Sequence, residues 1–122
     1  MKPFLVKRVS SLRGEITLSG DKSISHRSII LSAISPGKTV IENFPTNEDC
    51  FATVRAFQKL GIRITQNSVI TVSGKGLYGL KKPKSPIFVG DSGTTLRLLL
   101  GVLAGQNFGV TLTAGESLSR RP

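Results

Sequence analysis

Two short segments of the chain combine glycine, hydroxyl and cationic side chains in one frame. They are Gly20-Asp21-Lys22-Ser23-Ile24-Ser25-His26-Arg27 and Gly90-Asp91-Ser92-Gly93-Thr94-Thr95-Leu96-Arg97. A helix that starts just after such a turn leaves its first amide N–H groups without intrahelical acceptors. The positive end of its dipole lies beside them, which suits an anion. In the first segment Lys22 adds a mobile point charge and Ser23 a hydroxyl donor. Arg27, one helical turn beyond Ser23, can return a guanidinium to the same place and grip an oxyanion with two donors. In the second, Gly90 and Gly93 allow the backbone to come close to a ligand, and Thr94 and Thr95 supply hydroxyls. Near the end Arg120, Arg121 and Pro122 put two more cations at a candidate helix start. Each motif also has a plainer reading: a capped turn with a solvated lysine, a glycine-rich turn, a pair of exposed arginines. Spacing alone leaves both readings open.

Other residues with chemical potential read as structural. His26, between Ser25 and Arg27, reads as a non-catalytic flank, and Cys50 as a small core residue beside Phe51. With one Cys and one His in the chain, an internal disulfide is impossible and a zinc site all but excluded; no metal or cofactor is expected. Gly74-Lys75-Gly76-Leu77-Tyr78-Gly79 matches the dinucleotide-binding glycine pattern literally. It is followed by Leu80-Lys81-Lys82-Pro83, which cannot start the helix that a pyrophosphate needs, so it reads as a loop.

The elements that would hold these groups follow a repeat at an offset of 70 residues. β-type runs precede both motifs, Ile16 to Ser19 and Ile87 to Val89, and dense apolar helix candidates follow them, over 28–34 and 98–104. Helix one is expected from near Ser23 to just before Pro36-Gly37, then a strand over 38–42. Thr46-Asn47-Glu48-Asp49 has the form of a helix start with acids in its first turn. Phe51, Val54, Phe57 and Leu60 continue as one apolar face to Gly61. Strands over 62–65 and 68–72 flank a hairpin-like turn at Gln66-Asn67. The unit is therefore βαβαββ, an α/β arrangement, repeated in part after a connector over 74–86. The first helix of each unit is apolar nearly all round, as helices buried on every side are. Such helices need more partner surface than 122 residues readily supply, so the chain reads as a fragment.

Composition narrows the function. There are 17 Lys+Arg against 7 Asp+Glu, a net charge of +10, with 39% hydrophobic residues. That charge attracts nucleic acid, acidic lipid or phosphorylated metabolites. Lys81, Lys82 and Lys84 form the only basic run, broken by Pro83, and read as a solvated connector. Aromatic platforms for single-stranded nucleic acid are scarce, since Trp is absent and Tyr78 stands alone. No apolar run reaches the roughly 18 to 20 residues of a membrane span. The N-terminus lacks the apolar core of a secretory signal. A soluble, cytoplasmic protein is expected.

The motifs GDKSISHRS, LGIRI (60–64), GKGLYGL, GDSGTTLRLLLGVLAG and ESLSRRP, in that order, resemble the N-terminal part of the 5-enolpyruvylshikimate-3-phosphate synthase family (3-phosphoshikimate 1-carboxyvinyltransferases). The likeness covers essentially the entire chain, about the first quarter to third of the usual enzyme. A sister family of enolpyruvyl transferases acting on UDP-N-acetylglucosamine shares the fold but not these patterns. The resemblance implies a partial N-terminal domain of the enolpyruvyl transferase fold (an inside-out α/β barrel), with βαβαββ units around buried helices. Residues 1–19 would form a strand segment crossing between domains. Residues 20–122 would form an incomplete domain, with unit one over 20–80 and the start of unit two over 87–122. It further implies that Lys22, Ser23 and Arg27 hold 3-phosphoshikimate and that Lys22, Gly93 and Arg121 hold phosphoenolpyruvate, with Asp91, Thr94 and Arg97 in support. Asp91 departs from the Asn of many members, and an ionised acid there would repel the substrates. Gly93 matches a position where Ala blocks glyphosate-type inhibitors. The proton-transfer carboxylates and lysine belong to the other domain, so no catalytic residue is expected here and the chain alone should not turn over. The full enzyme would be a monomer. The competing expectation is a non-catalytic anion- or nucleic-acid-binding module on the same scaffold.

Overall fold

A computed structural model describes residues 2–122. Its elements are α1 (Lys22–Ile34), β1 (Pro36–Ile41), α2 (Glu48–Lys59), β2 (Arg63–Gln66), β3 (Ile70–Lys75), β4 (Ile87–Phe88), α3 (Gly93–Ala104), β5 (Leu112–Thr113) and α4 (Glu116–Ser119). Side-chain caps set the three long helices. Asp21 caps α1 by accepting from the Ile24 amide, Asn47 caps α2 by accepting from Cys50, and Ser92 caps α3 by accepting from Thr95. The first helix therefore starts one residue before Ser23, on an Asp rather than a Ser cap. It stops where Ser35, preceding Pro36, turns extended. α2 carries Glu48 and Asp49 in its first turn and Lys59 in its last, matching the helix dipole at both ends.

β1, β3 and β2 form an antiparallel sheet in that order. Ile64 pairs with Val72, and Ile41 with Ile70, so alternate residues put Ile64, Ile70 and Val72 on the buried face. The β2–β3 connection is Asn67 to Val69, closed by Asn67 N–H on the Val69 carbonyl. It lies one residue later than the expected turn, because Gln66 still pairs with Ile70. β4 and β5 pair in parallel, and Val89 N–H extends the pairing to Thr113. Ile29, Val54, Phe57, Leu60, Val72, Ile87 and Leu99 are all at or below 1% exposure. They belong to one continuous core joining the sheet and α1–α2 to β4–α3. α1 and α3 begin 71 residues apart and end 70 apart, which is the repeat read from the sequence.

Two expectations change. Residues 16–19 are not a strand: Ile16 and Leu18 are exposed, and this stretch is tied down only where Gly20 N–H donates to the Asn43 carbonyl. A strand exists only where a neighbour accepts its backbone hydrogen bonds, and no such neighbour runs alongside residues 16–19 among the described residues. The apolar helices are also covered on one side rather than all round. Ile24 and Leu31 of α1 and Leu100 of α3 are exposed. Ile30, Leu31, Ile34, Leu98 and Val102 line an open apolar groove of about 480 Å³ between α1 and α3.

Gly74 marks where β3 crosses closest to the end of α1. A Cβ there would fall far inside contact distance of the carbonyl oxygens of Ser32 and Ser35, which are backbone and cannot step aside. Gly74→Ala should therefore cost about 1–3 kcal/mol or more, read as a lower urea midpoint at unchanged slope. An unchanged midpoint would mean that α1 and β3 do not pack in this way.

Candidate functional site

At the start of α1 the Asp21 carboxylate takes the Ile24 amide at 2.8 Å and the Asp21 carbonyl takes Ser25 N–H. The amides of Lys22 and Ser23, at the first two helical positions, are left without intrahelical acceptors. The two side chains are exposed there. Arg27 folds back over this turn, its Nη1 donating to the Ser23 carbonyl at 3.1 Å. The expected trio of Lys22, Ser23 and Arg27 is thus assembled on one turn. Lys22 is not free, however: its ammonium pairs with the Asp49 carboxylate of α2. The two side chains are 52% and 33% exposed, so the pair is worth about 1 kcal/mol or less. An anion of higher charge can displace it.

The start of α3 is built in parallel. Ser92 caps Thr95, and the amides of Gly93 and Thr94 have no intrahelical acceptors. Thr94 and Arg97 are exposed on the outer face of this turn. Arg121, 28 residues beyond Gly93 in the chain, returns to it: a Cβ on Gly93 would lie 3.6 Å from Arg121 Nη1. Asp91 produces this approach. Its carboxylate accepts the Leu118 amide at 2.8 Å and so caps α4, whose own N-cap, Gly115, has no side chain to do it. A Cβ on Gly115 would lie 2.6 Å from Asp91 Oδ1, so the glycine makes room for the acid. Arg121 N–H then closes the turn on the Leu118 carbonyl. Asp91 thus has a structural task, accepting a backbone amide at the start of α4. Among the described residues Arg27, Arg97 and Arg121 enter no ion pair, while Arg120 is held by Glu116.

α2 lies between the two turns and fastens both. Its Asp49 holds Lys22 through the side chain and accepts from the Thr95 hydroxyl through the carbonyl, at 3.3 Å. One turn on, Thr53 Oγ1 is 2.7 Å from His26 Nδ1 and 2.8 Å from Thr95 Oγ1. Thr95 Oγ1 in turn lies 2.7 Å from Ser92 Oγ. His26, Thr53, Thr95 and Ser92 are all buried. Sequence reasoning missed this cluster. His26 read as a flank, and Thr95 as a ligand-facing hydroxyl, whereas it points inward. The available signal was Thr53 itself, a polar residue within the apolar face that Cys50, Val54 and Phe57 define. Burial, reinforced by the Lys22 charge, holds the His26 imidazole below its ordinary value near 6.5; Asp49 opposes this and Arg27 adds slightly to it. Burial pushes the Cys50 thiol up, in keeping with a core residue. Among the described residues no three His, Cys, Asp or Glu side chains gather as a metal site requires, and no helix is long and apolar enough to cross a membrane.

Comparison with known proteins gives the family and the fold. Residues 6–122 match the family model described as EPSP synthase (3-phosphoshikimate 1-carboxyvinyltransferase). A 3-phosphoshikimate 1-carboxyvinyltransferase of Bacillus licheniformis is 51% identical over 94% of this chain and 27% of its own length. One from Legionella pneumophila is 52% identical over 100% of this chain and 29% of its own. Among solved structures, EPSP synthase from Acinetobacter baumannii superposes with a TM-score of 0.83 at 45% identity, over 89% of this chain and 25% of that one. The chain thus has the fold of part of such an α/β domain, and spans less than a third of the relatives it matches.

Two measurements check the site. Asp91→Ala removes the cap of α4 and should cost about 1 kcal/mol, with faster amide exchange at Leu118; unchanged exchange would mean the cap is not formed. For His26 the folded state binds fewer protons than the unfolded state just below pH 6.5. Its contribution is therefore complete above the unfolded value near 6.5 and is lost as pH falls toward the depressed folded value. The urea midpoint should begin to drop as pH falls below about 6.5, ahead of most carboxylate titration. His26→Gln should flatten that part of the profile.

Proposed function

The chain belongs to the EPSP synthase (3-phosphoshikimate 1-carboxyvinyltransferase) family, and from that premise we propose that it supplies one wall of a site transferring the enolpyruvyl group of phosphoenolpyruvate to the 5-hydroxyl of 3-phosphoshikimate. The observation that carries the proposal is the meeting of Gly93 and Arg121 beside one open helix start, with a second open helix start fastened to the same turn of α2. In this reading Lys22, Ser23 and Arg27 hold 3-phosphoshikimate. Gly93 and Arg121 hold phosphoenolpyruvate, with Lys22 reaching both. Thr94 and Arg97 flank the second ligand, and Asp91 serves it indirectly by placing Arg121.

The transfer is an addition followed by an elimination. The 5-hydroxyl gives up its proton as its oxygen bonds to C2 of phosphoenolpyruvate, while C3 gains a proton; the tetrahedral adduct then expels phosphate from C2 and loses a proton from C3 to restore the enol ether. This chain's residues suit the electrostatic part. Fixed amide N–H groups and guanidinium groups neutralise phosphate and carboxylate in positions set before the ligands arrive. Groups for the proton transfers are assigned to the remainder of the enzyme, so turnover requires more than these 122 residues.

Calorimetry with 3-phosphoshikimate tests the reading. Binding should be saturable and competed by inorganic phosphate. Lys22→Gln and Arg27→Gln should each weaken it about 10- to 100-fold, the loss of one charge-assisted bond, with the melting temperature nearly unchanged. Salt-steep binding of DNA in its place would favour a nucleic-acid module and overturn the proposal. Gly93→Ala separates the two ligands. The added methyl would sit in ordinary contact, 3.6 Å from Arg121 Nη1 and 3.7 Å from Leu118 Cδ1, so folding stability should stay within about 0.5 kcal/mol. Phosphoenolpyruvate should then bind more weakly while 3-phosphoshikimate binds as before.

A further inference from the structure

The His26–Thr53–Thr95–Ser92 cluster lies behind both helix starts, and no ligand-binding role accounts for it. It is a continuous buried chain of three contacts, at 2.7, 2.8 and 2.7 Å, linking α1, α2 and α3. A polar chain inside a core is costly unless its members pair, and here only His26 Nε2 is left without a partner. The Asp49 carbonyl accepts from the Thr95 hydroxyl at 3.3 Å, and Ser92 Oγ lies 2.7 Å from Thr95 Oγ1. The Thr53 hydroxyl can donate to either neighbour and accept from the other. With Nδ1–H donating to Thr53, Nε2 is left as a bare lone pair; in the other tautomer it would be a buried N–H without an acceptor, the costlier of the two. The charged groups around the imidazole are Lys22, Arg27 and Asp49.

We propose that this chain is a positioning device: Thr53, through His26 on one side and Thr95 on the other, sets the separation of the two anion-binding helix starts. The inference rests on the site reading above and adds to it that a ligand touching both turns senses Thr53, while a ligand touching only α1 does not. In that reading phosphoenolpyruvate meets Lys22 on α1 together with Gly93 on α3 and Arg121, whereas 3-phosphoshikimate meets α1 alone.

The experiment titrates the 122-residue chain and its Thr53→Val and Thr53→Ser variants with each ligand, and records 15N spectra of the imidazole. Thr53→Val keeps the shape and removes the hydroxyl. It should weaken phosphoenolpyruvate about tenfold, the effect of roughly one hydrogen bond, and leave 3-phosphoshikimate within about twofold. Thr53→Ser should restore phosphoenolpyruvate binding. The spectra should show a protonated Nδ1 and an unprotonated Nε2. Equal losses for both ligands that track melting temperature, or an Nε2-protonated ring, would reduce the cluster to core structure and overturn the proposal. Failure of the unsubstituted chain to bind either ligand would instead sink the site reading on which it rests.

Discussion

The hydroxyl of Thr53 sits where three helices meet, with an imidazole on one side and a second threonine on the other. The two helix starts of the candidate site both contact this junction. α1 and α3 are copies of one device, a glycine-aspartate turn opening into a helix whose first amides are unpaired. α2 touches both, through Asp49 and Thr53 one turn apart. Because all four members of the chain are buried, rearranging it would expose or orphan polar groups in a low-dielectric interior, so the junction is stiff.

Charge is arranged differently in the two turns. At α1 the cation is balanced: Lys22 rests on Asp49 in a solvent-accessible pair that an incoming dianion can break at little cost. At α3 the acid and the cation do not form an ion pair. Asp91 spends its carboxylate on the Leu118 amide, and in doing so carries Arg121 to the mouth of the helix. The same glycine-aspartate dipeptide therefore does two jobs. Asp21 caps the helix that follows it, whereas Asp91 cedes that role to Ser92 and caps a helix 25 residues further on.

The +10 charge belongs with this division. Much of it is spread over exposed side chains such as Lys81, Lys82 and Lys84, which form no stripe. The cations gathered at the two helix starts are few: Lys22, paired with Asp49, and Arg27, Arg97 and Arg121, which enter no ion pair among the described residues. Counting charges could not separate Arg121 from Arg120; the Glu116 ion pair does.

Much of the fold was legible because it is local. Caps, apolar spacing and the Pro36 stop depend on neighbours within a few residues, and helices α1, α2 and α3 lie where those signals put them. The 70-residue repeat was legible for the same reason, being a recurrence of local signals. The expected strand over 16–19 did not form, because a strand is completed by a partner that no local pattern supplies. The all-apolar helices announced a need for burial but could not say which face this chain would leave open.

For the candidate site, residue types alone named the chemistry: glycine, hydroxyl and guanidinium groups at two helix starts, suited to anions. That follows from the unpaired amides of any helix start, a property of backbone geometry that needs no tertiary context. Only the tertiary structure decided how these groups are shared out. It set Asp91 on the Leu118 amide of α4, Lys22 against Asp49 and Arg121 beside Gly93, and drew His26, Thr53 and Thr95 into one hydrogen-bonded chain. These pairings join residues 27 or more positions apart, across elements whose mutual orientation comes from packing one common core. No spacing rule along the chain encodes that orientation.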